Sequence, residues 1–202
     1  LEPEKFKSEY AFEPAMDRRT KAGKEYIKQW QEENAHIPNH IPGKHEQTLI
    51  NMHDSLLAHP VYNSLVEKLG HEHGEREVIK LFELEGVKCK AKVDFYNPKE
   101  NYILDIKTCS KLSMDNIMQS INDYQYGVQA AFYLDGLKAH KFFFAFIEKK
   151  EPYDVIILEF KSGLDECRKL YSYGIKNIQQ FNAIENVDAK DCYAAFNKII
   201  TL

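Results

Sequence analysis

The sequence predicts a mixed α/β domain, with helices flanking a central mixed sheet of about five strands. Three observations predict it. Apolar positions recur at helical spacing across residues 16–58. The period changes to two between Val78 and Thr108, in segments separated by turn residues. Helical spacing then returns from residue 114 and is interrupted by two further strands.

Taken in order, residues 16–34 predict a helix with Asp17 near its start and Tyr26, Ile27 and Trp30 on one stripe. A connection with Pro38, Pro42 and Gly43 follows. Residues 45–58 predict a second helix, with Leu49, Met52, Leu56 and Leu57 aligned. Pro60 opens a short third helix that ends at Gly70. Val78–Leu84, Val87–Tyr96 and Tyr102–Thr108 form a three-stranded meander turned by Gly86 and by NPKEN. Residues 114–137 are helical, broken near 124–127. KFFFAFIE (141–148) and DVIILEF (154–160) are strands. Residues 163–184 form a long amphipathic helix, and the tail from Asp188 adds a short one.

The 202 residues suffice for one domain with a full core, and residues 1–202 are read as a single domain. At 44% hydrophobic and 29% charged, the composition is that of an ordinary globular chain. No apolar run is long enough for a membrane span, and the charged N-terminus LEPEKFKSEY has no signal-peptide core. Cys89, Cys109, Cys167 and Cys192 are scattered without a CxxC pair, which favours reduced thiols and a cytoplasmic location. The net charge of −4 does not advertise nucleic-acid binding. One basic cluster, Arg18, Arg19, Lys21, Lys24 and Lys28, suits either phosphate binding or a solvated helix face.

The most informative stretch is KCKAKVDFYNPKENYILDIKTC, residues 88–109. If the chain reverses over Pro98–Asn101, Asn97 lies opposite Tyr102, and the register brings Asp94 opposite Asp105. Strand alternation puts Asp105 and Lys107 on one face. Two carboxylates and an ammonium then crowd one spot. Like charges directly opposite are destabilising unless neutralised, and a divalent cation such as Mg²⁺ neutralises carboxylate oxygens. A solvated hairpin face is the plain alternative.

These elements resemble a known family. A strand ending in Asp94, a strand reading Asp105-Ile106-Lys107 and a helix reading Gln129-Ala-Ala-Phe-Tyr133 are similar to the PD-(D/E)XK nuclease superfamily, with its restriction-endonuclease-like fold, in the RecB-like branch. LEPEKF, DRRTKAGK, CKAKVDF, LDIKT and VQAAFYLDG extend the resemblance to exodeoxyribonuclease VIII (RecE) and related phage-type exonucleases, from residue 1 to about 160. The resemblance implies metal-dependent hydrolysis of linear double-stranded DNA, 5′ to 3′, in recombination. Asp94 and Asp105 would hold Mg²⁺ or Mn²⁺, completed by the Ile106 carbonyl, with Glu77 a further candidate ligand. Lys107 would act on water as base or orienter, or offset transition-state charge. Gln129 and Tyr133 would face the site. Thr108 and Ser110 would reach phosphate, as would Arg18, Arg19 and Lys21. The implied partners are DNA ends and a single-strand annealing recombinase, with a homo-oligomeric ring as a family habit. A RecB-like single-strand or flap nuclease within a complex, and a weakly active DNA- or partner-binding module, remain alternatives. The family carries a His on a helix before the segment matching Leu1-Glu2-Pro3; no residue here is assigned to it, and His53 and His59 are read as helix-surface residues. The expectation is that residues 1–202 alone cut DNA poorly and that an upstream His-bearing helix completes the site.

Overall fold

A computed structural model describes residues 3–68 and 73–182. The predicted helix end at Gly70, the last residues of the 163–184 helix, the tail helix from Asp188 and Cys192 lie outside the described residues. The elements run α1 (Pro3–Glu9), β1 (Tyr10–Glu13), α2 (Lys21–Glu33), β2 (Asn39–Pro42), a 3₁₀ turn (Gly43–His45), α3 (Glu46–Ala58), α4 (Pro60–Asn63), a π-helical turn (Ser64–Lys68), β3 (Glu75–Leu84), β4 (Val87–Asn97) and β5 (Tyr102–Cys109). They continue with α5 (Met114–Asp123), α6 (Tyr126–Leu137), β6 (Lys141–Glu148), β7 (Val155–Glu159) and α7 (Leu164–Asn182).

The predicted five-stranded mixed sheet is present, in the order β3-β4-β5-β6-β7. β5 and β6 are parallel, joined through α5 and α6; the other neighbours are antiparallel. A core lies on each face. On one, Ile103, Phe142, Phe144 and Phe146 pack with Ile117 and Ile121 of α5 and Ala130 and Leu134 of α6. On the other, Phe95, Tyr102, Leu104 and Ile147 pack with Met52 and Leu56 of α3, Tyr62 and Val66. A sheet buried on both faces explains the nearly unbroken apolar run of β6.

The helix read over 16–34 starts later, at Lys21. Thr20 is its N-cap: the hydroxyl accepts from Gly23 N–H and donates to the Asp17 carbonyl, each at 3.0 Å. Residues 17–20 are therefore a capping turn. The parallel pair β1–β2 was not predicted, since each strand has only four residues and their pairing spans α2. Buried Glu13 ties this part together, accepting from Arg18 and from Gln31 Nε2.

The hairpin turn follows the predicted register, with Asn97 opposite Tyr102. Buried Asn97 accepts the N–H groups of Lys99 (3.1 Å) and Glu100 (3.0 Å), an Asx turn that closes the loop. On the other side of the sheet, Asp135 of α6 accepts from Arg168 (2.9 and 3.0 Å) and Tyr171 (2.5 Å) of α7, locking these helices together.

Two glycines test the packing of this layer. A methyl at Gly136 would overlap the Phe82 ring of β3, whereas nothing lies near one at Gly174 in α7. Gly→Ala in a helix is ordinarily worth about 1 kcal/mol, and overpacking costs about 1–3 kcal/mol. Gly174→Ala should therefore raise stability in urea melts and Gly136→Ala should lower it. Stabilisation by both would contradict the close α6–β3 contact.

Candidate active site

Two strands part company at the centre of the sheet. The β4–β5 ladder runs from Asn97–Tyr102 to Phe95–Leu104 and stops. Beyond it, β4 stays paired with β3 as far as Val87, and β5 stays paired with β6 as far as Cys109. Continued by one residue, the register brings Asp94 opposite Asp105, as the sequence predicted. Asp94 Oδ2 accepts the Ile106 N–H at 2.8 Å, in place of a backbone partner. The N–H and C=O of a strand residue point to the same edge, so the Ile106 carbonyl also looks into the split.

The alternation of β4 switches here as well. Val93 and Tyr96 lie in one core, and Phe95 between them lies in the other. The neighbouring residue of β3, Glu77, has a positive φ of 50°, uncommon for a residue with a side chain. Val78 packs in the first core, while the Arg76 guanidinium covers Phe95 in the second. Both strands thus twist at Glu77 and Asp94, turning Asp94 into the split.

Asp105, only 3% exposed, lies on the α6 side. Its Oδ1 accepts from Gln129 Nε2 at 2.7 Å. Its Oδ2 lies 2.6 Å from Lys107 Nζ. That ion contact does not meet the angular demand of a hydrogen bond, and Oδ2 is a buried oxygen without a hydrogen-bond donor. Gln129 Oε1 accepts from Lys107 Nζ at 3.0 Å, so one amide holds both charged groups. The Lys107 ammonium sits 4.4 Å from the centre of the Tyr126 ring.

The electrostatics follow. Burial, then the Asp105 charge, push the Asp94 carboxyl up to about 6, with Glu77 adding to the rise and the Ile106 N–H and Lys107 opposing it. Burial also raises Asp105, against the pull of Lys107 and Gln129. Two carboxylates that resist ionising beside each other favour a cation.

A hard divalent ion fits this donor set: two carboxylates, one oxygen lacking a donor, and a carbonyl at the same edge. Among the described residues, no group of three or more His, Cys, Asp or Glu converges as a ligand cage. Mg²⁺ commonly binds through one or two carboxylates and keeps several waters, which matches what Asp94 and Asp105 offer.

The family model described as a PDDEXK-like domain of unknown function (DUF3799) matches residues 2–193. The chain belongs to this family. The PDDEXK-like domain is also similar in fold to the crystal structure of a candidate exonuclease from Eubacterium rectale, with TM-score 0.52 and 18% identity. That match covers 78% of this chain and 62% of the relative, so the chain spans less than two thirds of the relative's length. A phage-related exonuclease from Haemophilus somnus matches at TM-score 0.38 and 13% identity, over 62% of this chain and 66% of that one. No curated protein matches the chain. The domain is therefore of the PD-(D/E)XK nuclease fold, as the sequence resemblance implied.

The structure brings together Asp94, Asp105, Ile106, Lys107 and Gln129. Other expected members of the PDDEXK-like site lie differently. Glu77 is ion-paired with Lys92 at 2.8 Å; it adds to the field on Asp94 without joining the donor set. The Tyr133 hydroxyl donates to the Lys92 carbonyl at 3.1 Å, bracing α6 on β4. Thr108 follows Lys107 and so projects from the opposite face of β5, the side of Leu104. In the basic cluster, Arg18 and Arg19 precede α2. Arg18 binds Glu13, Arg19 binds Asp17 at 3.1 Å, and Lys21 lies 3.9 Å from Glu25. His53 sits beside Asp54 on the surface, and His59 is the N-cap of α4, not part of a helical stripe. Tyr126 was missed, although it stands three residues before Gln129, a spacing that shares a helix face.

Asp94 yields a test in the folded domain. Its carboxyl titrates at about 6 when folded against an ordinary 3.8. Between those values the folded state holds a proton that the unfolded state has released. The stabilisation it gives is complete below about pH 4 and lost as pH rises through about 6. Asp94→Asn keeps an oxygen for the Ile106 N–H and removes the charge. In EDTA, the variant should gain about 1–3 kcal/mol over the parent above pH ~7, with the gain fading below pH ~4. Urea melts across pH check this, and no gain at high pH would contradict a strained carboxylate pair.

Proposed function

We propose that this domain is a metal-dependent DNA exonuclease. It hydrolyses phosphodiester bonds from the ends of linear double-stranded DNA, 5′ to 3′, in recombination or phage-type DNA processing. The observation that carries the reading is the convergence of Asp94, Asp105, Lys107 and Gln129 where β4 and β5 separate. The preference for ends and for 5′ polarity rests on the resemblance of these elements to the exodeoxyribonuclease VIII type.

Asp94 and Asp105, with the Ile106 carbonyl, would hold Mg²⁺ or Mn²⁺. Such an ion supplies a Lewis acid for the phosphoryl oxygen and lowers the pKa of water. The chain's own contribution is placement and charge. Gln129 fixes Lys107 relative to Asp105 through two hydrogen bonds. The Tyr126 ring supports the ammonium from a third direction. So held, Lys107 offers a fixed positive charge to the oxygens of the phosphate under attack, with no reorganisation as charge develops there. Its N–H donors can also orient the attacking water.

Lys107→Ala should lower kcat on linear duplex DNA by about 100-fold or more, the usual cost of losing one oriented electrostatic group. Mn²⁺ binding should persist, because Lys107 is not a ligand. Gln129→Ala should lower activity less, by about 10–100-fold, as for a group that positions others. Substrates labelled at either 5′ or 3′ end, with covalently closed circles as control, report polarity and end dependence. Wild-type rates for Lys107→Ala would remove its role, and rapid cutting of circles would remove the exonuclease reading.

A further inference from the structure

We infer that Tyr124 is a stacking platform for the terminal base of the DNA strand entering the site. This rests on the nuclease reading above.

Tyr124 is 69% exposed and ends α5 as its C-cap residue. An exposed tyrosine alone needs no explanation. This one is held in a particular way. Its ring stacks on Tyr126 with centroids 5.5 Å apart and an interplanar angle of 26°. Residues two apart do not face each other on a helix. Here the helix is broken between them: Gln125 adopts the left-handed conformation (φ 54°, ψ 36°). That conformation costs a residue with a side chain roughly 1–2 kcal/mol. The Gln125 side-chain amide donates to the Asn122 carbonyl at 2.6 Å, holding the break. The result is two tyrosines in register at the junction of α5 and α6.

The lower ring is anchored. Tyr126 packs on Phe144 and Phe146 of β6, at 5.9 and 6.4 Å, and its ring lies 4.4 Å from the Lys107 ammonium. Tyr124 therefore sits one ring beyond the cation proposed to meet the phosphate, with one side covered by Tyr126 and the ring largely open to solvent. A phosphate at Lys107 leaves its own base, or the adjacent one, within reach of that ring. Every base has a π face, so such a platform is indifferent to sequence, as end-wise digestion requires. A base inside a duplex has both faces covered by its neighbours. At a duplex end the outer face of the terminal base is free. The platform thus selects terminal nucleotides.

The test is a double-mutant cycle between protein and DNA. Wild type, Tyr124→Ala and Tyr124→Phe are compared on duplexes whose cut strand ends in natural nucleotides or in abasic (tetrahydrofuran) residues. Equilibrium binding is measured in Ca²⁺ and digestion in Mg²⁺. Base–aromatic stacking predicts that Tyr124→Ala weakens binding and raises KM for natural ends by about 5- to 100-fold. Tyr124→Phe should restore both, and thermal melts should match wild type. On abasic ends wild type should fall to the level of Tyr124→Ala, which should lose nothing more. Equal losses on both substrates, or none on natural ends, would overturn the platform. Base-dependent binding in Ca²⁺ without cutting in Mg²⁺ would sink the nuclease reading and leave the platform standing. Cutting without base dependence would do the reverse.

Discussion

One hydrogen bond sets the rest of this site: the Ile106 N–H donating to the Asp94 carboxylate. β4 and β5 are bonded near their shared turn and diverge after Phe95–Leu104. Divergence leaves backbone groups of β5 without strand partners, and a buried N–H left unmet costs about 1–3 kcal/mol. Asp94 supplies the missing acceptor. In doing so its carboxylate is drawn into the split and placed beside Asp105. The sheet is thereby completed at a cost in electrostatics, seen in the upward shift of both acids. A cation at this spot would relieve that cost, so the same geometry that closes the sheet makes a metal site.

The surrounding fold keeps this arrangement in place. The twist at Glu77 turns β3 and β4 together, so Asp94 reaches the split while Phe95 remains in the second core. The parallel β5–β6 pair brings α6 over the sheet, and the small residues Ala130 and Ala131, both fully buried, let it approach closely. Close approach puts Gln129 between Asp105 and Lys107. The Asp135–Arg168–Tyr171 contact then fixes α6 from behind. Helix position, through one amide, governs the geometry of the charged pair.

Much of this was legible in the chain. Turn chemistry at NPKEN placed Asn97 opposite Tyr102, and counting back from there gave the Asp94–Asp105 register. Helix spacing placed Gln129 and Tyr133 on one face, though not the use each side chain makes of it: Gln129 turns to the acids, while the Tyr133 hydroxyl reaches the Lys92 carbonyl. Strand alternation puts Thr108 on the face of β5 opposite Lys107. The carboxylate partners of the basic cluster are close in sequence for Arg19 and Lys21, which meet Asp17 and Glu25, whereas the partner of Arg18, Glu13, belongs to β1, a four-residue strand whose pairing with β2 spans α2. The positive φ of Glu77 had no signal, since no Gly or Asn marks it. The Tyr124–Tyr126 stack depends on a helix break whose region was predicted, but whose exact residue, Gln125, was not.

The central claim is that Asp94 and Asp105 form one cation site. Titration calorimetry with Mn²⁺ at neutral pH tests it most directly, comparing the parent chain with Asp105→Asn. The substitution keeps volume and an acceptor for Gln129 but removes one of the two charges. The account predicts a measurable binding heat with one saturable site in the parent and its loss in Asp105→Asn, with thermal melts showing both proteins folded. Equal Mn²⁺ affinity in the two would contradict it.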